Sequence, residues 1–202
     1  MAPQPFARVG AACGIIFPVG LFLTARHHAL WGPALIAIVL FVPFLAYLSS
    51  LLRQAEGEGS WLALTALATG LAGITLKLGS IAPEIAIRTN HIADGTPLHN
   101  GLQGIADAAT DVCLYPLAAM VAAVALVALR SSVLPRWLGV GAALTAVALT
   151  ANASYNLYVH SGFIPAFLLF LLWTLAAGVV LFKRTWRQSA QVAHVSPVGA
   201  GV

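Results

Sequence analysis

The sequence predicts an all-α fold, a polytopic membrane bundle of six transmembrane helices with both termini in the cytoplasm. Three observations predict it. Hydrophobic residues make up 60% of the 202-residue chain and charged residues only 8%, with a mean hydropathy of +0.91. A soluble domain carries about a quarter charged residues, so this chain could not cover a water-facing surface. The apolar residues also fall into continuous runs near the roughly 20 residues a spanning helix needs, without the alternation of a transmembrane barrel. Finally, the basic residues sort to one side of those runs.

The first run, 7–25, has a single Arg8 before its apolar stretch and Pro18 inside it. It resembles a signal peptide, but Leu23 occupies the −3 position of the best cleavage site, before Arg26, where a small residue is needed. It is therefore read as a retained helix. The second run, 31–52, contains Pro43 and ends at Arg53. The third, 61–83, follows a Gly-Glu-Gly-Ser turn and carries Lys77. The fourth, 105–129, contains Asp107, Asp111 and Pro116. The fifth, 137–155, carries Asn152 and is followed closely by Asn156, whereas the sixth, 163–182, has no ionisable residue before Lys183. Proline is tolerated inside membrane helices, where neighbours and water satisfy the freed backbone groups.

With six spans, one side receives Arg8, Arg53, Arg130, Arg136, Lys183, Arg184 and Arg187, and the other only Arg26 and Arg88. The positive-inside rule puts the first side, and both termini, in the cytoplasm. The net charge of +4 then reports topology and attraction to anionic membrane lipids; no nucleic-acid partner is implied. The expected location is a bacterial inner membrane.

Residues 1–187 read as one transmembrane domain and 188–202, rich in Ser, Gly, Ala and Val, as a disordered cytoplasmic tail that includes His194. Most connections are short, so consecutive helices should be antiparallel neighbours. Segment 84–104 is the exception: its Asn90, His91, Asp94-Gly95, Pro97, His99 and Gly101 read as a long outer loop, a lid or tether. No inverted repeat is visible, because the sixth run has no counterpart to Lys77, and this weighs against a transporter. Cys13 and Cys113 fall at opposite depths and imply neither a disulfide nor a thiolate metal site.

His27, His28, His91, His99 and His160 gather at one end of the bundle with Glu84, Asp94, Asp107 and Asp111. Charge in or beside a bilayer is costly and marks function by default. At 1.5 Å per residue, Lys77, Asp111, Asn152 and Asn156 lie roughly 22–28 Å from the arginine-rich ends of their helices, in the outer third of the bilayer. They also share faces. Asp107 and Asp111 are four apart with Tyr115 one turn deeper, and Asn152 and Asn156 are four apart with His160 just above. Lys77, Ser80 and Glu84 continue a stripe through Gly73 and Gly70, small residues that mark close helix approach.

The expected site is an outward-opening polar cavity. Lys77 and Asp111 form its charge pair, Asn152, Asn156 and Tyr115 its binding wall, and Asp107, Glu84, His160 and His28 its mouth. Adjacent carboxylates cannot both ionise easily, so Asp107 and Asp111 would supply an acid and a base, with Lys77 stabilising charge. The opposed reading is structural: Lys77 fixes two helices through Asp111 or snorkels to the headgroups, and the Asn residues join helices. His27 and His28 are adjacent and diverge on a helix, His91 and His99 match no zinc spacing, and no metal or other cofactor is expected. Trp31, Trp61, Trp137, Tyr155 and Tyr158 fit an aromatic interface belt.

Segments 44–70 (FLAYLSSLLRQAEGEGSWLALTALATG) and 129–149 (LRSSVLPRWLGVGAALTAVAL) carry an Arg-acid-Gly turn entering a Trp and an LPRWLG turn re-entering the bilayer. In these the chain resembles a family of small six-helix integral membrane proteins of high-GC bacteria to which no activity is assigned. The resemblance implies the topology and carries over no site residue. The functional expectation is an enzyme or binder of a lipophilic molecule, a lipid or isoprenoid, acting by acid–base chemistry. The alternatives are a proton-coupled transporter or ion pathway, and an accessory subunit that docks a membrane partner or a second copy of itself.

Overall fold

The computed structural model describes residues 4–24, 31–159 and 165–195. Over these residues the chain forms six helices: α1 (Gln4–Thr24), α2 (Trp31–Glu56), α3 (Trp61–Thr89), α4 (Pro97–Arg130), α5 (Arg136–Val159) and α6 (Pro165–Val195). All six are long and apolar enough to cross a membrane, and no strand occurs among the described residues.

Successive helices pack side by side, and α6 closes onto α1, so the six make a ring in chain order, with α2 also touching α4 across it. Neighbours are antiparallel: Gly10 of α1 lies against Tyr47 of α2, while Gly20 lies against Ala37. Lipid supplies no hydrophobic drive between helices, so packing depends on close approach through small residues. A Cβ on Gly73 would meet Leu117 Cγ of α4 at 2.7 Å, and one on Gly70 would meet Leu45 of α2 at 2.6 Å and Met120 Sδ of α4 at 2.9 Å. The Lys77 stripe therefore faces the bundle, as its glycines predict. At the closure of the ring backbone meets backbone, since a Cβ on Gly178 of α6 would lie 2.7 Å from the backbone carbonyl carbon of Gly14 in α1. Phe17, Phe41, Phe44 and Phe170 fill the centre, fully buried, with ring centroids 4.8–6.3 Å apart. Each such aromatic pair adds about 0.5–1.5 kcal/mol beyond its buried area.

The expected long loop at 84–104 is largely helix. α3 runs on to Thr89 and α4 begins at Pro97. Two local devices shorten the connection. His91 adopts the left-handed conformation at φ 49°, the Ile92 N–H donates to Ile87 O and the His91 N–H to Arg88 O, the paired bonds of a Schellman C-cap. Gly95 turns the chain back at φ 76°, and the Thr96 hydroxyl accepts from the His99 N–H with Pro97 in the first helical position. Since Pro97 and Asp107 are ten residues apart on one helix, the α3–α4 hairpin extends about 15 Å beyond the level of Asp107. At the other end α6 continues to Val195, so helix replaces the first part of the segment read as a tail. Cys13 and Cys113 are both buried and unbridged.

Candidate functional site

Four helices converge on the polar layer. Asp111 of α4 and Asn156 of α5 meet because α4 and α5 are antiparallel neighbours, and the Asn156 amide donates to Asp111 Oδ1 at 2.7 Å. That is the length of a charge-assisted bond, and Asn156 is only 2% exposed. One turn back along α5, the Asn152 amide nitrogen donates to Asn156 Oδ1 at 3.3 Å, and Asn152 Oδ1 accepts from the Ala166 backbone N–H at 3.2 Å. Ala166 is the second residue of α6, whose first N–H groups have no acceptor inside the helix.

The chain of bonds thus runs from the α6 N-terminus through Asn152 and Asn156 to Asp111. Its direction is set at the α6 end. A backbone N–H can only donate, so Asn152 must present its oxygen toward α6 and its nitrogen toward Asn156, whose own nitrogen is then turned to Asp111. The two Asn residues, read from the sequence as one wall of a cavity, are here bonded to each other and to Asp111, and Asn152 also accepts at the start of α6.

Lys77 behaves differently. Its Nζ donates to Thr110 Oγ1 at 3.1 Å and lies 5.9 Å from the centroid of the Phe167 ring of α6, within cation–π range. Among the described residues it forms no ion pair, and the expected Lys77–Asp111 charge pair is absent. The reason is angular. Thr110 and Asp111 are adjacent on α4 and point about 100° apart, so α3 receives Thr110 while Asp111 turns to α5. The expected pairing of Asp107 with Asp111 is not formed either, because Asp107 is exposed and accepts from Gln103 Nε2 at 3.1 Å on its own helix.

Tyr115 OH lies 3.3 Å from Ser154 Oγ, which ties α4 to α5 one turn below Asp111. Glu84 is part-buried near the end of α3. His99 Nδ1 and Asp94 Oδ1 are 3.4 Å apart at the tip of the hairpin, with Asp94 98% exposed. His27, His28 and His160 lie outside the described residues. No group of three His, Cys, Asp or Glu placed to hold a metal ion occurs among the described residues.

Below Tyr115 and Ser154 a groove of about 590 Å³ runs between α4 and α5, walled by Ala118, Ala119, Ala122, Ala146 and Ala151. Asp111, Tyr115, Ala118 and Ala122 are spaced 4, 3 and 4 on one stripe of α4, so the carboxylate stands at the head of this stripe. Composition alone could not reveal the groove, since alanine also lines the fully buried helix contacts.

In the arginine-bearing half several side-chain hydroxyls bond to backbone carbonyls. Ser49 donates to Ala63 O across α2 and α3, and Thr145 and Thr174 donate to carbonyls four residues earlier in their own helices. The Trp173 indole N–H donates to Leu138 O. Glu56, at the end of α2, accepts from both Leu62 N–H and Ala63 N–H at 3.0 Å and so caps α3, while Ser60, at the cap position, makes no side-chain capping bond. No protein-family model, no curated protein and no solved structure matches the chain, so what can be said of its function rests on this geometry.

Proposed function

We propose that the protein binds a lipophilic molecule, a lipid or isoprenoid, and acts on it by acid–base chemistry at Asp111. The observation that carries this reading is the α4–α5 groove. It offers a shallow, largely apolar groove of about 590 Å³ open along the flank of the bundle, walled by alanines with Val147 and Thr150 and with the Tyr115 and Ser154 hydroxyls at one end. Asp111 stands one turn above them. An apolar tail would lie along the alanines, and its polar end would meet two hydroxyls and then a carboxylate. Ligand sites are mostly apolar with a few convergent polar groups. In this reading Asp111 is the acid–base group, Tyr115 and Ser154 hold the polar end, and the two Asn residues fix the carboxylate. Lys77, hydrogen-bonded to Thr110 on the side of α4 facing α3, supplies positive charge behind Asp111 rather than pairing with it. Asp107 and Glu84 have no part in the groove. The buried hydroxyls Ser49, Thr145 and Thr174 of the arginine-bearing half bond to backbone carbonyls, which speaks against a proton or ion path through them. The proposed setting is a bacterial inner membrane with the polar layer outward, as the arginine distribution supports.

The test is mass spectrometry of the organic molecules that co-purify with wild type, with Ala119→Leu and with Asp111→Asn. Ala119 is exposed on the lip of the groove, so leucine there fills it without disturbing the core. The expected result is a discrete lipophilic molecule in the wild type, lost from Ala119→Leu and retained but chemically altered in Asp111→Asn. Identical bulk lipid in all three would overturn the proposal.

A further inference from the structure

A second concavity, at the arginine-bearing end, carries an inference independent of the groove. The turn between α4 and α5 folds over α6 and encloses about 600 Å³. Its rim holds three guanidiniums, Arg130 at the end of α4, Arg136 at the start of α5, and Arg184 of α6. None of them pairs with a carboxylate among the described residues, where the one ion pair, His99 with Asp94, lies at the opposite end. Arg184 spends one N–H on Val133 O at 2.8 Å, which holds the turn against α6 and leaves its remaining donors available.

Two further features favour an anion. The backbone N–H groups of Arg136 and Trp137 open α5 and have no acceptor among the described residues, whereas α3, α4 and α6 have theirs capped by Glu56, Thr96 and Asn152. A helix N-terminus of this kind attracts negative charge. Ser132 on the same rim is exposed and adds a hydroxyl donor. The remaining wall is apolar, from Leu129, Val180 and Leu181 of the spanning helices. Trp137 and Trp186 at the same end of the bundle are 58% and 63% exposed, as interfacial tryptophans are.

We infer that this cavity is a binding site for the phosphate of an anionic phospholipid. The guanidiniums and the α5 N-terminus take the phosphate oxygens, and the lipid's chains descend along the outer faces of α4 and α6 past Leu129 and Val180. A soluble phosphate shares the headgroup chemistry but makes no use of the apolar wall or of the interfacial level marked by the two tryptophans.

The experiment is native mass spectrometry of the full chain in detergent, titrated with phosphatidylglycerol and with phosphatidylcholine of the same acyl composition. It is repeated for Arg130→Gln, Arg136→Gln, their double variant and Arg53→Gln. Arg53 lies at the same end of the bundle but outside the cavity. Arg130 and Arg136 make no side-chain bond among the described residues, so their removal leaves the fold intact. Phosphatidylglycerol should bind in preference to phosphatidylcholine. Each cavity arginine removed should weaken it about fivefold and the pair about 25-fold, with less than about a twofold change for Arg53→Gln. Equal binding of the two lipids, or an equal loss in Arg53→Gln, would overturn the inference. So would full displacement of the lipid by excess inorganic phosphate, which would reassign the cavity to a soluble anion.

Discussion

The direction of the hydrogen-bond chain makes a prediction that separates two nearly isosteric changes. Asp111→Asn keeps an oxygen where Asn156 Nδ2 donates at 2.7 Å, so every bond from the α6 N-terminus to α4 survives and only the charge assistance is lost. Charged acceptors are worth about 1.5–3 kcal/mol and neutral ones about 0.5–1.5 kcal/mol, so the expected cost is about 1 kcal/mol. Asp111→Leu removes the acceptor and leaves the amide of Asn156 without its Asp111 bond. Interhelical hydrogen bonds in membranes average about 0.6 kcal/mol and reach about 1.7 kcal/mol. This one is short, charge-assisted and nearly inaccessible, so the upper figure applies and the cost is about 2 kcal/mol. Asn156→Asp reverses the polarity, setting carboxylate against carboxylate, and should be the most damaging of the three. Thermal unfolding of the full chain in lipid nanodiscs, followed by tryptophan fluorescence, reads the series. At about 2–4 °C per kcal/mol for a chain of this size, Asp111→Asn should lower the midpoint by about 2–4 °C and Asp111→Leu by about 4–8 °C. If Asp111→Asn proved as damaging as Asp111→Leu, or Asn156→Asp were tolerated, the directional argument would fail.

Substitutions at four other positions test the frame that holds the site. Gly178→Ala places a methyl 2.7 Å from the Gly14 carbonyl carbon and 3.0 Å from Ile15 N; backbone cannot step aside, so stability should fall by about 1–3 kcal/mol. Gly79→Ala, with nothing within 4 Å, should gain about 0.5–1 kcal/mol in the same unfolding assay; a loss there would count against the packing described. His91→Gly relieves the left-handed backbone at φ 49° and should raise stability by about 1 kcal/mol, and a decrease would mean that the imidazole contributes a contact of its own. Glu56→Ala removes both acceptors at the α3 N-terminus and should cost about 1–2 kcal/mol, whereas Glu56→Gln, which keeps one oxygen, should cost about half as much; hydrogen exchange at Leu62 and Ala63 reports the fraying directly.

The helices were legible because spanning length and hydropathy are properties of the chain itself. Their ends were not, and the failures have local causes. Segment 84–104 looked like a loop because its polar and turn-forming residues were read as one cluster. Thr96-Pro97 is in fact a helix start, with the N-cap hydroxyl followed by proline in the first helical position, and His99 supplies the N–H it receives. Only His91 to Gly95 form the turn proper. His91 there takes a backbone conformation that glycine usually occupies, which no residue-type pattern would single out. Glu56 is likewise hidden, since it reads as one of two acids beside Gly57 and Gly59 until α2 brings its carboxylate over the start of α3.

Depth along each helix places Lys77, Asp111 and the two Asn residues in one layer; in the structure Asn152, Asn156 and Asp111 are joined by hydrogen bonds, and Lys77 bonds Thr110, which the sequence alone does not single out. What depth cannot supply is rotation. Lys77 and Asp111 are at one level yet bind different partners, because the 100° step between Thr110 and Asp111 sends one toward α3 and the other toward α5. The same step decides the chemistry open to the site. A buried Lys–Asp pair would have neutralised both groups and fixed two helices, with little left to act on a ligand. As built, neutral amides hold Asp111 and a hydroxyl and an aromatic face hold Lys77. Lys77 and Asp111 are thus each positioned by uncharged neighbours, on different sides of α4.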